Sequence, residues 1–390
     1  MKSIKRIKNL SGKHVMVRVD FNVPVEKGKV TDDTRILAAL PTIEYLLSKG
    51  AKVILLSHRG RPEGKKKKAL SLEPIAKYLS HLMGRKVKFV NSLVGNKAYE
   101  AITALHSGQV LMLENTRFHK EEKGNKGNLA GKLAAMTDIF VQEGFAVTHR
   151  ADASTVGIAK HVPAYAGLHL QQEVKSITHI VEHGKKPFVL VVGGAKVATK
   201  LPVIKKLSAR CDHILIGGAL FNTYLKSIGY GVGVSLVEKD LLSDAQKALK
   251  KKKVIKPIDV IVGDAEGKNF RHVILEKSPY RVCKRNEAIY DIGPETIYLY
   301  SRYIKQAQTI IWNGAIGLYE KQPYSFGTLS MARLIASCSR GKAFGLVGGG
   351  ETIDALHRAH MLEYIDYVST GGGAMLTFLA GEDLPGLHVL

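Results

Sequence analysis

Cysteine is scarce in this chain: Cys211, Cys283 and Cys338 are the only three in 390 residues. They are odd in number, far apart and outside any CxxC or Cys/His spacing, which excludes a disulfide framework and a thiolate metal site. Long hydrophobic runs are absent as well. None approaches the roughly 18 to 20 apolar residues of a membrane helix, and the opening MKSIKRIKNLSGKHVMV lacks the apolar core of a signal peptide. A cytoplasmic protein without a membrane partner is expected. The common nucleotide signatures are missing too. No GxxxxGK[ST] occurs, GYGVGV lacks the third glycine spacing of a dinucleotide fingerprint, and the protein-kinase motif set is not there.

Acidic residues are in deficit, 34 Asp and Glu against 58 Lys and Arg, for a net charge of +24. Such a balance is the usual footprint of a nucleic-acid binder. Here the lysines are spread along the chain. The two dense runs, Lys65 to Lys68 and Lys250 to Lys253, read as a loop and the end of a polar helix, with no zinc-finger spacing or RNA-binding aromatic pattern beside them. The charge is therefore read as a solvated basic surface that would also steer acidic small molecules, and nucleic acid is not the expected partner.

What is present is an alternation. HVMVRVDF, KVILLSH, KVKFV, QVLMLEN and DIFVQEGF read as strands in the first half, and PFVLVVGG, HILIGG, DVIVGD, QTIIWNG and AFGLVGGG in the second. Amphipathic stretches such as ILAALPTIEYLLSKG and SLEPIAKYLSHLM lie between several of them. Near-continuous apolar strands separated by helices imply parallel sheets covered on both faces, so the fold class is α/β. LHLQQEVKSITHIVEHGKKP, residues 168 to 187, reads as one long helix with a stop after it. Two lobes joined by a helix are expected.

In open parallel sheets ligands sit beyond the carboxyl ends of strands. In the first half those ends carry Arg18, Asp20 and Asn22 in RVDFNVP, Arg35 in TDDTRI, His58 and Arg61 in SHRGRP, Arg117 in ENTRF, and His149 and Arg150 in THR. Arginines and histidines with few acids near them in sequence suit an anion bearing phosphate and carboxylate. In the second half VVGGAKVATK, LIGGALF, LVGGGETID and VSTGGGAM each put glycines where a strand ends and a helix begins. Such turns let backbone N–H groups approach a phosphate, although tight packing would account for one or two of them. An anion-binding lobe beside a glycine-rich, lysine-bearing lobe points to phosphoryl transfer.

RVDFNVP, SHRGRP, ENTRF, GGAKV, DIGPETI, WNGAIG, VGGGET and STGGGA, in this order along nearly the whole chain, resemble the phosphoglycerate kinase family. The resemblance implies two lobes, each a parallel-sheet, Rossmann-like α/β domain, joined by a hinge helix. The first would be residues 1–167 with a returning tail from about 378 to 390, the helix 168–186, and the second lobe 187–377. It implies reversible phosphoryl transfer between 1,3-bisphosphoglycerate and ADP, giving 3-phosphoglycerate and ATP, with Mg2+ and lobe closure, in a monomer. Asp20, Phe21, Asn22, Arg35, His58, Arg59, Gly60, Arg61, Arg117 and Arg150 would hold the glycerate. Lys196, Lys200, Gly217, Gly218, Asn313, Glu320, Gly348, Gly349, Gly350, Glu351 and Thr352 would hold the nucleotide. Glu351 would meet the metal, and Arg35 and Lys200 would neutralise the transferring group.

The chain also departs from the family pattern. Gln142, Glu143 and Gly144 stand for Asn-Asp-Ala, Thr199 for an acid, Ala315 for a proline and Glu351 for an aspartate. Tyr367 lies in a region where a histidine is usual, and Thr377 where a glutamate is common. The alternative reading is a catalytically weakened relative that binds nucleotide or nucleic acid through its basic surface. The retained cation set and Lys200 favour the enzyme.

Overall fold

A computed structural model describes every residue except Pro279. It divides into two compact units, Met1–Lys175 with Asp383–Leu390, and Ser176–Glu382.

In the first unit β1 (His14–Arg18) leads to a hairpin of β2 (Val25–Glu26) and β3 (Lys29–Val30), then α1 (Thr34–Ser48) and β4 (Lys52–Leu56). There follow α2 (Glu73–Leu82), β5 (Val87–Val90), α3 (Asn96–Thr103), β6 (Val110–Leu113), α4 (Leu129–Ala134), β7 (Ile139–Gln142) and β8 (Ala164–Ala166). The main sheet runs β5-β6-β4-β1-β7-β8 and its pairings are parallel. Alternation along β1 sends Val15 and Val17 into one core cluster and Met16 into the other, so both faces are dry and the strand reads as continuously apolar. Because β4 and β7 flank β1, the strand order reverses there, which is where α/β sheets bind ligands. The helix α1 runs through Pro41; the ring removes a bond to the carbonyl of Leu37, and that residue lies on the exposed side, where water can replace it.

Next comes α5 (Leu168–His183), and the division between the units falls within it. Glu143 lies at its start: one carboxyl oxygen accepts the His169 N–H at 3.2 Å, while the other is buried without a hydrogen-bond partner. Burial outweighs the Thr42 hydroxyl and the His169 and Leu170 amides, and pushes this carboxyl up to about 8. Burial thus favours its neutral form near physiological pH. The last residues return to the first unit, where the Gly386 N–H donates to the Thr148 carbonyl at 2.8 Å and Leu390 packs on the core.

The second unit continues with β9 (Phe188–Val192), α6 (Leu201–Leu207), β10 (His213–Ile216), α7 (Gly218–Ser227), α8 (Leu242–Leu249) and β11 (Val254–Ile255). Then come β12 (Asp259–Gly263), β13 (Phe270–Ile274), β14 (Ala288–Ile292), α9 (Pro294–Gln306), β15 (Thr309–Asn313) and α10 (Phe326–Cys338). It ends with β16 (Phe344–Gly348), α11 (Gly350–Arg358), β17 (Tyr367–Ser369) and α12 (Gly373–Leu379). The sheet β11-β10-β9-β15-β16-β17 is parallel.

One expected member of that alternation lies elsewhere. DVIVGD is the centre of an antiparallel sheet, β13-β12-β14. No helix separates it from β13, so the chain reverses by a turn instead of crossing over. The three cysteines are buried and free, and burial pushes the thiols of Cys211 and Cys283 up to about 12 and about 11, which leaves them inert.

Candidate active site

Each unit carries one cluster at the carboxyl ends of its parallel strands. In the first, the loops after β1, β4, β6 and β7 bring together Asp20, Asn22, Arg35, His58, Gly60, Arg117 and Arg150. Arg35, one residue into α1, donates from Nη1 to Asp20 Oδ2 at 2.9 Å and to the Asn22 carbonyl at 3.2 Å. Asn22 Oδ1 accepts the Gly60 N–H at 2.9 Å, and Arg117 Nη1 donates to the Gly60 carbonyl at 2.8 Å. These bonds tie three loops into one rim. Arg61 stands exposed beside it.

His58 lies within the rim, buried, with Arg150 Nη1 3.3 Å from Nε2 and Arg18 Nη2 3.2 Å from Nδ1. Burial first, and then the guanidinium groups of Arg18, Arg117, Arg150 and Arg35, hold its imidazole well below the ordinary histidine range. The imidazole is neutral in a strongly positive pocket. So many cations around one neutral ring are stable only beside an acid or a bound anion, and among the described residues Asp20 is the carboxylate that joins this rim by a salt bridge, 2.9 Å from Arg35.

Two residues expected on the ligand point elsewhere. Arg59 donates to the carbonyls of Ala69 and Ser71 at 3.0 and 3.1 Å and to that of Val25 at 3.5 Å, so its charge organises loops. Phe21 is fully buried in the core, and its N–H donates to Ser57 Oγ at 2.9 Å. A large ring beside a solvated strand end lowers its free energy by facing inward.

In the second unit the glycine-rich turns mostly pack against one another. Gly193 and Gly194 donate their N–H groups to the carbonyls of Asn313 and Ala315, at 3.1 and 2.6 Å, and Gly217 and Gly218 donate to Val192 and Ile316, at 3.0 and 2.8 Å. Gly314 has φ +91°, and a Cβ there would overlap the Gly193 carbonyl oxygen. The amides of Val197 and Ala198 are also taken: Glu238 accepts both, at 2.6 and 3.1 Å. VVGGAKVATK and LIGGALF are therefore wholly or partly occupied from within, and VSTGGGAM in part, since its Gly371 N–H donates to Ser369 Oγ at 3.1 Å. At the fourth, GLVGGGETID, space around a Cβ at Gly350 is empty, and α11 starts there with first-turn N–H groups that no residue of the helix can accept.

Lys200 and Glu351 meet at this opening. A Cβ on Gly194 would lie 2.9 Å from Glu351 Oε2 and 3.7 Å from Lys200 Cε, so the two side chains flank the same glycine. Lys200 Nζ bonds Asn313 Oδ1, and Asn313 Nδ2 donates to the Gly348 carbonyl at 2.7 Å. Burial pushes the lysine down to about 8, against the opposing pull of Glu351. Thr352 is buried and accepts the Gly314 N–H at 2.7 Å, so its hydroxyl fixes the loop. Lys196 and Glu320 are exposed, and Thr199 Oγ1 donates to the Lys196 carbonyl at 3.0 Å.

Arg18, expected among the strand-end cations, bonds Ser154 and His58 instead, and motif reasoning does not single out Glu238, Ser154 or Glu122. Glu238 and Glu122 lie outside the diagnostic segments, and only the bonds they make reveal them.

Comparison with known proteins gives one answer along the whole chain. A sequence model described as phosphoglycerate kinase matches residues 4–382. The phosphoglycerate kinase of Moorella thermoacetica is 44% identical over 386 residues, covering 98% of this chain and 97% of the relative. That of Desulforudis audaxviator is 43% identical over 396 residues, covering 100% and 99%. Among solved structures, phosphoglycerate kinase from Coxiella burnetii superposes with a TM-score of 0.83 at 40% identity, covering 99% of this chain and 98% of that one. The enzyme from Pyrococcus horikoshii superposes with a TM-score of 0.86 at 32% identity, covering 100% and 98%. The chain belongs to the phosphoglycerate kinase family.

Proposed function

We propose that this chain is an ATP:3-phosphoglycerate 1-phosphotransferase in which the first unit holds the glycerate and the second the nucleotide. The observation that carries the reading is the pairing of two unlike clusters: a rim of arginines around a neutral histidine, and a buried lysine flanking an open helix start. The first suits a small ligand bearing both phosphate and carboxylate; the second suits nucleotide phosphates.

In this reading a carboxylate oxygen of 3-phosphoglycerate attacks the γ-phosphorus of ATP, the bond to the bridging oxygen breaks, and ADP leaves. The substrate supplies its own nucleophile, already ionised at neutral pH, so the protein needs no general base. Its contribution is position and charge. Asn22, His58, Arg61, Arg117 and Arg150 would hold the glycerate. Arg35, held by Asp20, would meet the transferring oxygens, and Lys200, held by Asn313, would meet them from the nucleotide. In-line geometry requires the two units to close on their substrates. Arg59 and Phe21 act only by shaping the loops.

Among the described residues no group of three or more His, Cys, Asp or Glu could hold a metal ion. One carboxylate, Glu351, at the mouth of a phosphate site fits Mg2+, which keeps several waters and takes the rest of its ligands from phosphate oxygens. When bound, the ion would spread the charge of the β- and γ-phosphates. Glu351 reaches about 1.5 Å further than an aspartate, one carbon–carbon bond. Its place over Gly194, which has no side chain of its own, accommodates that length.

The expected result for Glu351→Ala is a Mg2+ requirement raised by roughly tenfold or more, with turnover partly recovered at high Mg2+, following the cost of a lost metal partner. A Mg2+ titration of turnover in both proteins measures it. Superimposable curves would remove Glu351 from the metal shell. The family's usual single-chain state and a cytoplasmic location complete the reading.

A further inference from the structure

Arg18 ends β1 and, unlike Arg35, Arg117 and Arg150, is buried, 1% exposed. Its Nε donates to Ser154 Oγ at 2.8 Å, Nη1 to the Val19 carbonyl at 2.5 Å, and Nη2 reaches His58 Nδ1 at 3.2 Å. Ser154 is itself anchored, since its hydroxyl and its N–H both donate to Glu122, at 2.5 and 2.9 Å. Glu122 is buried and balances the arginine's charge.

A guanidinium can only donate hydrogen bonds, whereas a neutral imidazole has one N–H and one lone pair. His58 touches guanidinium groups at both nitrogens, so only one contact can be a hydrogen bond. Among the described residues His58 Nδ1 is the hydrogen-bond partner of Arg18 Nη2, and a buried charged donor left unpaired is the costlier error. Arg150 is only partly buried and can turn to water or an anion. Asp20 Oδ1 lies 3.9 Å from Nδ1, too far to accept a proton from it.

We propose that Arg18, anchored by Ser154 and Glu122, is a positioning residue that fixes His58 in the Nε2–H tautomer, making it a neutral hydrogen-bond donor beside Arg150. The Nε2–H then faces a second donor across 3.3 Å, a contact that becomes favourable when an anionic oxygen accepts from both. His58 thereby adds direction to the rim without adding charge. The identity of the anion rests on the reading of this cluster as the glycerate half-site; the tautomer does not.

Nitrogen-15 NMR of the intact, ligand-free protein tests this, with His58 assigned through His58→Gln. The expected spectrum has a pyridine-like Nδ1 and a pyrrole-like Nε2, neither titrating from about pH 5 to 8, where an ordinary histidine gains its proton. A proton on Nδ1, or an imidazolium in that window, overturns the proposal. Ser154→Ala is expected to give mixed tautomers and a KM for 3-phosphoglycerate raised several-fold with kcat little changed. An unaltered tautomer and KM in that variant would overturn the anchoring role. If the tautomer is as expected but the wild type does not turn over 3-phosphoglycerate, the functional reading fails while the positioning stands.

Discussion

Arg35→Ala is expected to lower kcat by roughly 10³-fold, the scale on which one arginine on a transferring phosphoryl group acts. The side chain is a third exposed, and the two bonds it makes within the protein both use Nη1. The outer edge of its planar fork is therefore free for phosphoryl oxygens while the inner edge fixes its direction. Arg35→Lys should recover little, because an ammonium on a flexible stem loses that geometry. Steady-state kinetics at saturating substrates measures the effect. A loss below about tenfold would assign Arg35 to ground-state binding or to structure. The variant should also be somewhat less stable, since Asp20, nearly buried, loses its nearest cation.

The second large effect is expected at Lys200, where function and stability should move in opposite directions. Its folded value of about 8 lies below the ordinary 10.5 because burial disfavours the charge. Between these values the unfolded chain binds more protons, so stability rises with pH across that window. The cost of the buried ammonium is fully present below about pH 8 and is relieved as pH rises toward 10.5. A shift of this size corresponds to at most about 3 kcal/mol, from which the Met variant forfeits about 1 kcal/mol by orphaning Asn313 Oδ1. Lys200→Met should thus be about 1 to 2 kcal/mol more stable at pH 7 by urea denaturation, yet lose roughly 10²- to 10³-fold in kcat. In the wild type kcat/KM for ATP should fall above about pH 8 as the lysine discharges. A Met variant clearly less stable than the wild type would mark Lys200 as a structural cation.

The class of fold was legible because burial on both faces leaves a simple trace, the unbroken apolar strand. DVIVGD shows the limit of that trace. An antiparallel strand packed on both sides has the same composition as a parallel one, and only the connection, a turn instead of a helix, separates them. The strand-end arginines were legible as a set and not one by one. Arg35 and Arg59 are equally plausible in sequence, but Arg59 finds loop carbonyls within reach and Arg35 finds one acid and open space. The glycines behaved similarly. Backbone that can approach a phosphate can equally approach another backbone, and around Gly193, Gly217 and Gly314 it does. Glu238, which holds the loop between Lys196 and Lys200, was invisible because its role depends on two amides some forty residues earlier.

Two of the departures, Gly144 and Ala315, sit where packing absorbs them. Gly144, in place of an alanine, lies against Asp20, with the Asp20 backbone nitrogen only 3.0 Å from where a Cβ would be. Ala315 keeps the carbonyl that accepts the Gly194 N–H. None of them removes a cation of the first unit, or Lys200 and Asn313 of the second. That retention separates an active transferase from a basic binding protein built on the same fold.

The measurement that decides between these is a coupled assay on the purified wild-type chain, following ATP consumption with 3-phosphoglycerate and Mg2+ present and with each omitted in turn. The account predicts turnover that requires all three, with kcat in the range of about 1 to 100 per second or higher. No turnover at any Mg2+ concentration, together with RNA binding that weakens steeply with salt, would contradict it.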